Sequence, residues 1–230
     1  SVTGLLNNQF KSIELRDVKF KYPNTDDYIF DGLNLEIKGC GCVGIIGENG
    51  SGKSTLVNLI NGLLKPTSGK ISVDEEDIQT NLSVWQKNIG YVPQNIFLLD
   101  DTIRKNIAFG FYDKDIDENL LNQSVKSAEL EDTIKKLPEG LSSFVGERGA
   151  KLSGGEIQRI GIARALYNNS SILIFDEFTS NLDFETEKKI LDTILRLKGK
   201  KTIILISHKL EPIQICNKIF KVQNCSVIIS

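Results

Sequence analysis

Hydrophobic and polar residues alternate in two stretches near the start of the chain, "KSIELRDVKFKY" and "DGLNLEIKG". A period of two predicts a pair of half-buried antiparallel strands, with "PNTDDY" as the loop between them. "CVGIIG" is instead a short continuous apolar run ending in glycine, the pattern of a strand buried on both faces. It leads into "ENGSGKSTLVNLINGLLKP", where Leu56, Leu59, Ile60 and Leu63 recur at helical spacing and Gly62 and Pro66 mark the stop. "TSGKISVD" adds a turn and another strand. Residues 115–136 are polar and helical, an apparent helical insertion, and "KLPEG" breaks the pattern. A glycine pair then opens the amphipathic helix "LSGGEIQRIGIARAL" at residues 152–166. Further on, "SILIFD" and "TIILISH" flank the helix "ETEKKILDTILRLK", a strand, helix, strand unit that implies parallel pairing. "KIFKVQ" and "NCSVIIS" read as a hairpin closing on Asn224.

Composition narrows this picture by exclusion. A chain of 230 residues can bury roughly 70–75% of the surface its unfolded form exposes, enough for one domain, with or without two lobes. The formal charge of −2, without a basic stripe interleaved with aromatics, argues against nucleic acid as a partner. The longest apolar runs fall far short of the ~20 residues that span a bilayer, and the start lacks a secretory pattern, so the chain is expected to be cytosolic in character. Cys40, Cys42, Cys216 and Cys225 lack the spacing of a metal site and read as packing thiols. Methionine is absent even at position 1, which suggests that Ser1 follows a processing step or a cut from a longer polypeptide. Residues 1–9 are accordingly expected to be a linker from an upstream segment.

"GENGSGKST" supplies the chemistry. It fits G-x-x-x-x-G-K-[ST] at Gly47, Gly52, Lys53 and Ser54, between a buried strand and a helix as that mechanism requires. Through Asn49, Gly50, Ser51 and Thr55 the backbone N–H groups can turn inward on a phosphate, helped by the helix N-terminus. Lys53 is expected to reach the β- and γ-phosphates and Ser54 to hold Mg²⁺. Asp176, at the end of "ILIFDE", is placed to bind Mg²⁺ directly or through water, and Glu177 to polarise the water that attacks the γ-phosphate. His208 follows another buried strand and should emerge at the same sheet edge; its position alone leaves it structural or catalytic. Together these features predict an α/β fold, a P-loop NTPase core with a mixed or parallel sheet, an N-terminal antiparallel β subdomain and an inserted helical subdomain over about 96–168. With no internal repeat, the chain carries one nucleotide-binding unit.

These motifs, with "LSGGE", make the chain resemble the nucleotide-binding domain of an ATP-binding cassette (ABC) protein over nearly its whole length. The resemblance implies that two cassettes face head to tail, so that Ser153, Gly154 and Gly155 of one serve the ATP held by the lysine loop of the other. The helix dipole and free backbone N–H groups at residues 153–155 suit that role. By resemblance, Tyr22 in "FKYP" stacks on adenine, Gln94 in "YVPQ" senses Mg²⁺ and the attacking water, Asp183 in "TSNLD" links the two sites, and His208 bonds the γ-phosphate. "FVGERGAKLSGGE" and "FLLDDTIRKNIAFG" point to the exporter branch. An exporter cassette implies ATP and Mg²⁺, a second nucleotide-binding domain as homodimer partner, a transmembrane domain, and a place at the cytoplasmic face of the membrane.

Three departures from the family pattern stand out. Glu156 replaces the usual glutamine, Asn181 stands where alanine is common, and "KGCGCVG" lacks an acidic residue before its strand. None removes a phosphate or Mg²⁺ ligand, so hydrolysis is still expected. The rival readings are a soluble cassette ATPase of translation or chromosome maintenance, which would call for tandem cassettes, coiled-coil arms or a basic stripe, and a binding-only cassette, which would lack Glu177 or His208.

Overall fold

A computed structural model describes residues 10–229 apart from 147, 148, 150, 181, 224 and 225. The expected linker over 1–9, Asn181, the Asn224 turn, Cys225 and the middle of "VGERG" lie outside the described residues. The chain divides into two compact units. The first comprises Ser1–Ile89, Ser171–Ile174 and Lys198–Ser230; the second comprises Gly90–Ser170 and Phe175–Leu197.

In the first unit, β1 (Ser12–Phe20) pairs antiparallel with β2 (Phe30–Lys38) and with β4 (Ser68–Val73), which pairs in turn with the short β5 (Glu76–Asp77). The apolar phase of β1 changes part-way: Ile13 and Leu15 are buried, then Val18 and Phe20. A register shift between Leu15 and Val18, with Asp17 at φ 47°, supplies the extra residue that turns the face. Gly69 on β4 lies so close to the carbonyl of Asp17 that no side chain fits there.

The second sheet has the order β10-β9-β3-β8-β7-β6. Its strands are β3 (Cys42–Ile46), β8 (Thr202–Ser207), β9 (Lys218–Gln223), β10 (Ser226–Ile229), β6 (Ile89–Val92) and β7 (Ile172–Asp176). Strand β3 runs parallel to β8 and β9, and β10 closes antiparallel on β9. All six residues of β8 are buried, which suits its four central aliphatic residues, Ile203 to Ile206, between Thr202 and Ser207. Helix α1 (Lys53–Ile60) buries Leu56, Val57, Leu59 and Ile60. Trp85 of α2 (Leu82–Lys87), fully buried, donates its indole N–H to the Ile60 carbonyl at 2.8 Å and so satisfies an open carbonyl at the end of α1.

The second unit is mainly helical: α3 (Ile103–Ile107), α4 (Glu118–Ser127), α5 (Glu131–Lys136), α6 (Gly154–Tyr167) and α7 (Phe184–Leu197). The single helical stretch expected over 115–136 is two helices, because Glu129 takes φ 56° and ends α4. Arg159 of α6 holds that break. Its Nη1 donates to the Ala128 carbonyl at 3.0 Å, to Glu129 Oε2 at 3.1 Å and to Thr193 Oγ1 of α7 at 2.9 Å. Among the described residues no helix is long and apolar enough to cross a membrane.

Candidate functional site

In the first unit, β3 feeds a tight loop that ends where α1 begins. Gly50 and Gly52 take φ 81° and 104°, which glycine adopts without steric penalty. A Cβ on Gly47 would lie 2.5 Å from Ser51 Oγ and 2.6 Å from the Val222 carbonyl, whereas one on Gly50 would meet nothing within 4 Å. The loop is therefore packed on one side and open on the other. The loop borders a cleft of about 370 Å³, walled by Ile29, by residues 47–51 and by Lys221, Val222 and Gln223 of β9.

Lys53 lies inside this loop, only 8% exposed. Its Nζ donates to the carbonyls of Gly47 at 2.6 Å and Glu48 at 2.9 Å, so the desolvated cation is held by the loop itself. Ser51 Oγ is buried and has no hydrogen-bond partner among the described residues. A loop that offers a cation, an unmatched hydroxyl and open backbone fits a phosphate chain. Ser54 and Asn49 are exposed on it. Tyr22 is tied to the first turn of α1 by a 3.0 Å hydrogen bond between its hydroxyl and Thr55 Oγ1, and its ring packs edge-on against Phe20. His208 follows Ser207, which stands opposite Ile46 in the parallel register, so His208 and Gly47 leave neighbouring strand ends.

In the second unit, Asp176 ends β7. Tyr91 of β6 donates its hydroxyl to Asp176 Oδ2 at 2.6 Å. Burial, reinforced by the neighbouring carboxylate, pushes the Tyr91 phenol above its ordinary range and keeps it a proton donor. Glu177 follows at φ 47°, a left-handed conformation that costs about 1 kcal/mol or more outside glycine. Gln94 Nε2 donates to Ser180 Oγ at 2.9 Å, and the Gln94 carbonyl accepts from Gln158 Nε2 of α6 at 3.0 Å.

Ser153 caps α6. Its Oγ accepts from the Glu156 N–H at 3.3 Å, while Glu156 Oε2 accepts from the Ser153 N–H at 2.8 Å and from its hydroxyl at 2.9 Å. Glu156 thus completes a reciprocal capping box with Ser153. Burial alone would raise the Glu156 carboxyl, but hydrogen bonds from Ser153 and Thr133, with Lys136 nearby, hold it below the ordinary range. Gly155 is pressed against α7: a Cβ there would sit 2.5 Å from Thr186 Cγ2. Thr186 donates through N–H and Oγ1 to Asp183 at 3.0 and 2.7 Å, and these bonds, the side-chain one first, hold the Asp183 carboxyl below its usual range.

The structure therefore gathers Tyr22, the lysine loop and His208 in the first unit. It gathers Gln94, Asp176, Glu177, Asp183 and residues 153–155 in the second. Sequence reasoning missed Tyr91, Ser180 and Thr186, whose partners are distant along the chain or are ordinary polar residues. Only the position of Tyr91 in "YVPQ", beside Gln94, offered a signal.

The motif order matches a known family: the sequence profile of the ABC transporter family covers residues 30–180. The chain belongs to the ABC transporter family. Its relatives include ABC proteins of a plant, of bacteria, of a fungus and of Toxoplasma gondii. It is 40% identical over 212 residues, 92% of this chain and 33% of the relative, to the ABC transporter B family member 29, chloroplastic, of Arabidopsis thaliana. It is 40% identical over 210 residues, 91% of this chain and 34% of the relative, to an ATP-dependent lipid A-core flippase of Syntrophus aciditrophicus. A solved structure of a bacterial Atm1-family ABC exporter with ATP bound superimposes with a TM-score of 0.83 at 37% identity, over 95% of this chain and 38% of that one. The chain spans about a third of the length of these ABC relatives.

Proposed function

We propose that this chain is the ATP-binding and ATP-hydrolysing motor domain of an ABC exporter, working with Mg²⁺ and driving an attached transmembrane domain. The observation that carries this reading is the lysine loop: the buried Lys53 ammonium, a Ser51 hydroxyl with no partner among the described residues, and a cleft of about 370 Å³ beside residues 47–51. Similarity to a lipid A-core flippase and to an ATP-bound Atm1-family exporter supports the exporter branch.

In this reading Lys53 and the backbone of residues 47–55 hold the phosphates, and Tyr22 stacks on the base. Ser54, Asp176 and Gln94 hold Mg²⁺, directly or through water. Among the described residues no three His, Cys, Asp or Glu side chains form a cation site by themselves, which suits an ion shared between a few protein oxygens and phosphates. Bound there, Mg²⁺ neutralises charge on the transferring phosphoryl group. Glu177 orients and deprotonates the attacking water, and His208 bonds the γ-phosphate. Residues 153–155 and Asp183 serve the second site of a head-to-tail homodimer. Residues 10–230 form the nucleotide-binding domain, with a helical subdomain over about 96–168, and 1–9 lead in from a transmembrane segment. The motor then works at the cytoplasmic face of the membrane.

The test is the solution mass of Glu177→Gln, by light scattering behind a sizing column, with and without Mg-ATP. A shift from monomer to dimer only with Mg-ATP is expected. A monomer in both conditions, with ATP binding verified separately, would remove the shared site from this reading.

A further inference from the structure

Two cysteines of the first unit have no part in the chemistry above. Cys42 opens β3, and Cys216 lies just before β9, 174 positions later. Their sulfurs are 3.3 Å apart, with the Cys42 thiol donating to Cys216 Sγ. The backbone enforces this closeness. Val43 stands opposite Lys218 in the parallel register, and the Asn217 N–H donates to the Cys42 carbonyl at 2.9 Å, so the pairing of β3 and β9 holds the two residues side by side.

The surroundings favour one ionised sulfur. Lys198 bonds the Ile215 carbonyl at 3.1 Å, which places its cation beside the pair. The hydrogen bond with Cys216, then the Lys198 charge, lowers the Cys42 thiol against the effect of burial, and the same hydrogen bond and burial raise Cys216. The pair therefore releases a first proton more readily than an isolated buried thiol and a second one reluctantly. Cys42 is 1% exposed, whereas Cys216 is partly open to solvent.

We propose that Cys42 and Cys216 are a redox modification site, closed to a disulfide by a small peroxide as the two-electron oxidant. Loss of one proton leaves two sulfurs 3.3 Å apart sharing the remaining proton; in the form that keeps it on Cys42, the donor of their hydrogen bond, the Cys216 thiolate, nearer solvent, attacks the peroxide. A sulfur–oxygen bond forms, the peroxide oxygen–oxygen bond breaks, and the leaving oxygen departs as water after taking up a proton. Cys42 then attacks the resulting sulfenic sulfur; the sulfur–sulfur bond forms, the sulfur–oxygen bond breaks and a second water leaves. The sum is two thiols and hydrogen peroxide giving one disulfide and two waters. The bond, about 2.05 Å long, needs only a short side-chain movement from the present separation. It would tie together the two strands whose other ends, Ile46 and Lys221, are register partners beside the cleft. It would also close a long loop in the unfolded chain, which stabilises the folded one.

The experiment is brief hydrogen peroxide treatment, alkylation of remaining thiols and peptide mapping by mass spectrometry under non-reducing conditions. A Cys42 to Cys216 linked peptide, two hydrogens lighter than its parts and released by dithiothreitol, is expected both in the chain as it stands and in a Cys40→Ser/Cys225→Ser variant. Cys216→Ser should give no such peptide, and the oxidised chain should unfold at a higher temperature than the reduced one. Linkage of either cysteine to Cys40 or Cys225 instead, or irreversible sulfinic acid at Cys216 with Cys42 still alkylated, would overturn the assignment. A correct link that lowers the unfolding temperature would overturn the claim that the native geometry accepts the bond.

Discussion

Tyr91 and Asp176, 85 positions apart in sequence, are joined by a 2.6 Å hydrogen bond in which the phenol donates and the carboxylate accepts. The bond orients the Asp176 carboxylate through Oδ2, and in the proposed site Oδ1 would then face Mg²⁺. A hydrogen bond to a charged group is worth about 1.5–3 kcal/mol. Tyr91→Phe is therefore expected to lower turnover at saturating ATP by roughly tenfold and to raise the Mg²⁺ concentration needed for half-maximal rate. ATP binding without Mg²⁺ should be unaffected. An unaltered Mg²⁺ dependence would show that Asp176 is positioned without this bond.

Lys53→Ala and Glu177→Gln should separate binding from chemistry. Removing the ammonium takes away the cation of the lysine loop, so ATP affinity measured by calorimetry should fall at least about tenfold, since charge-assisted hydrogen bonds are worth about 1.5–3 kcal/mol. Glu177→Gln should keep that affinity while turnover drops by ~10²–10⁴, the scale of a lost general base. Equal affinities for Lys53→Ala and the parent chain would contradict the phosphate role of the loop.

Gly155→Ala places a methyl group 2.5 Å from Thr186 Cγ2. Thr186 cannot yield freely because its hydroxyl and N–H are both bonded to Asp183. Overpacking of this kind costs about 1–3 kcal/mol, readable as a lower urea midpoint. Adding Thr186→Ser removes the colliding methyl group and keeps the hydroxyl, so the double variant should recover most of the loss. No recovery would place the strain elsewhere.

Glu156 gives a pH-dependent effect of known sign. Its folded pKa lies below the ordinary value of 4.5, so its contribution is present above that value and is lost as pH falls through the lower, folded pKa. Glu156→Gln retains an acceptor for Ser153 but cannot titrate. The stability difference between the parent chain and this variant should therefore shrink or reverse below about pH 4.5, and Ser153→Ala, which loses the cap outright, should cost about 1 kcal/mol at neutral pH. Parallel acid-unfolding curves for the parent and Glu156→Gln would mean that the capping carboxylate is not coupled to folding.

The sequence alone made β3, the lysine loop and α1 legible, because an apolar run, a glycine pattern and a helical period coincide within residues 42–60. The break between α4 and α5 was not legible: a glutamate in the left-handed region leaves no compositional mark, and the break is held by Arg159 from α6. Strand β6 was missed because its four residues mix Tyr91 and Gly90 with two aliphatic residues, too short a run for any period. Site residues set within motifs could be named, but the groups that orient them could not. Tyr91 reaches Asp176, and Thr186 braces Asp183, through contacts that only folding creates.

The absence of a side chain at Gly155 has a mechanical meaning. With Gly155 seated directly on Thr186, the first turn of α6 and the Asp183 segment meet without a compressible layer between them. A loosely filled contact would absorb a small displacement as local settling; this one leaves little room to settle, and Thr186 is bonded twice to Asp183. If the α6 turn and Asp183 answer to different ATP molecules in the proposed dimer, steric stiffness at a single glycine would keep the two events in step.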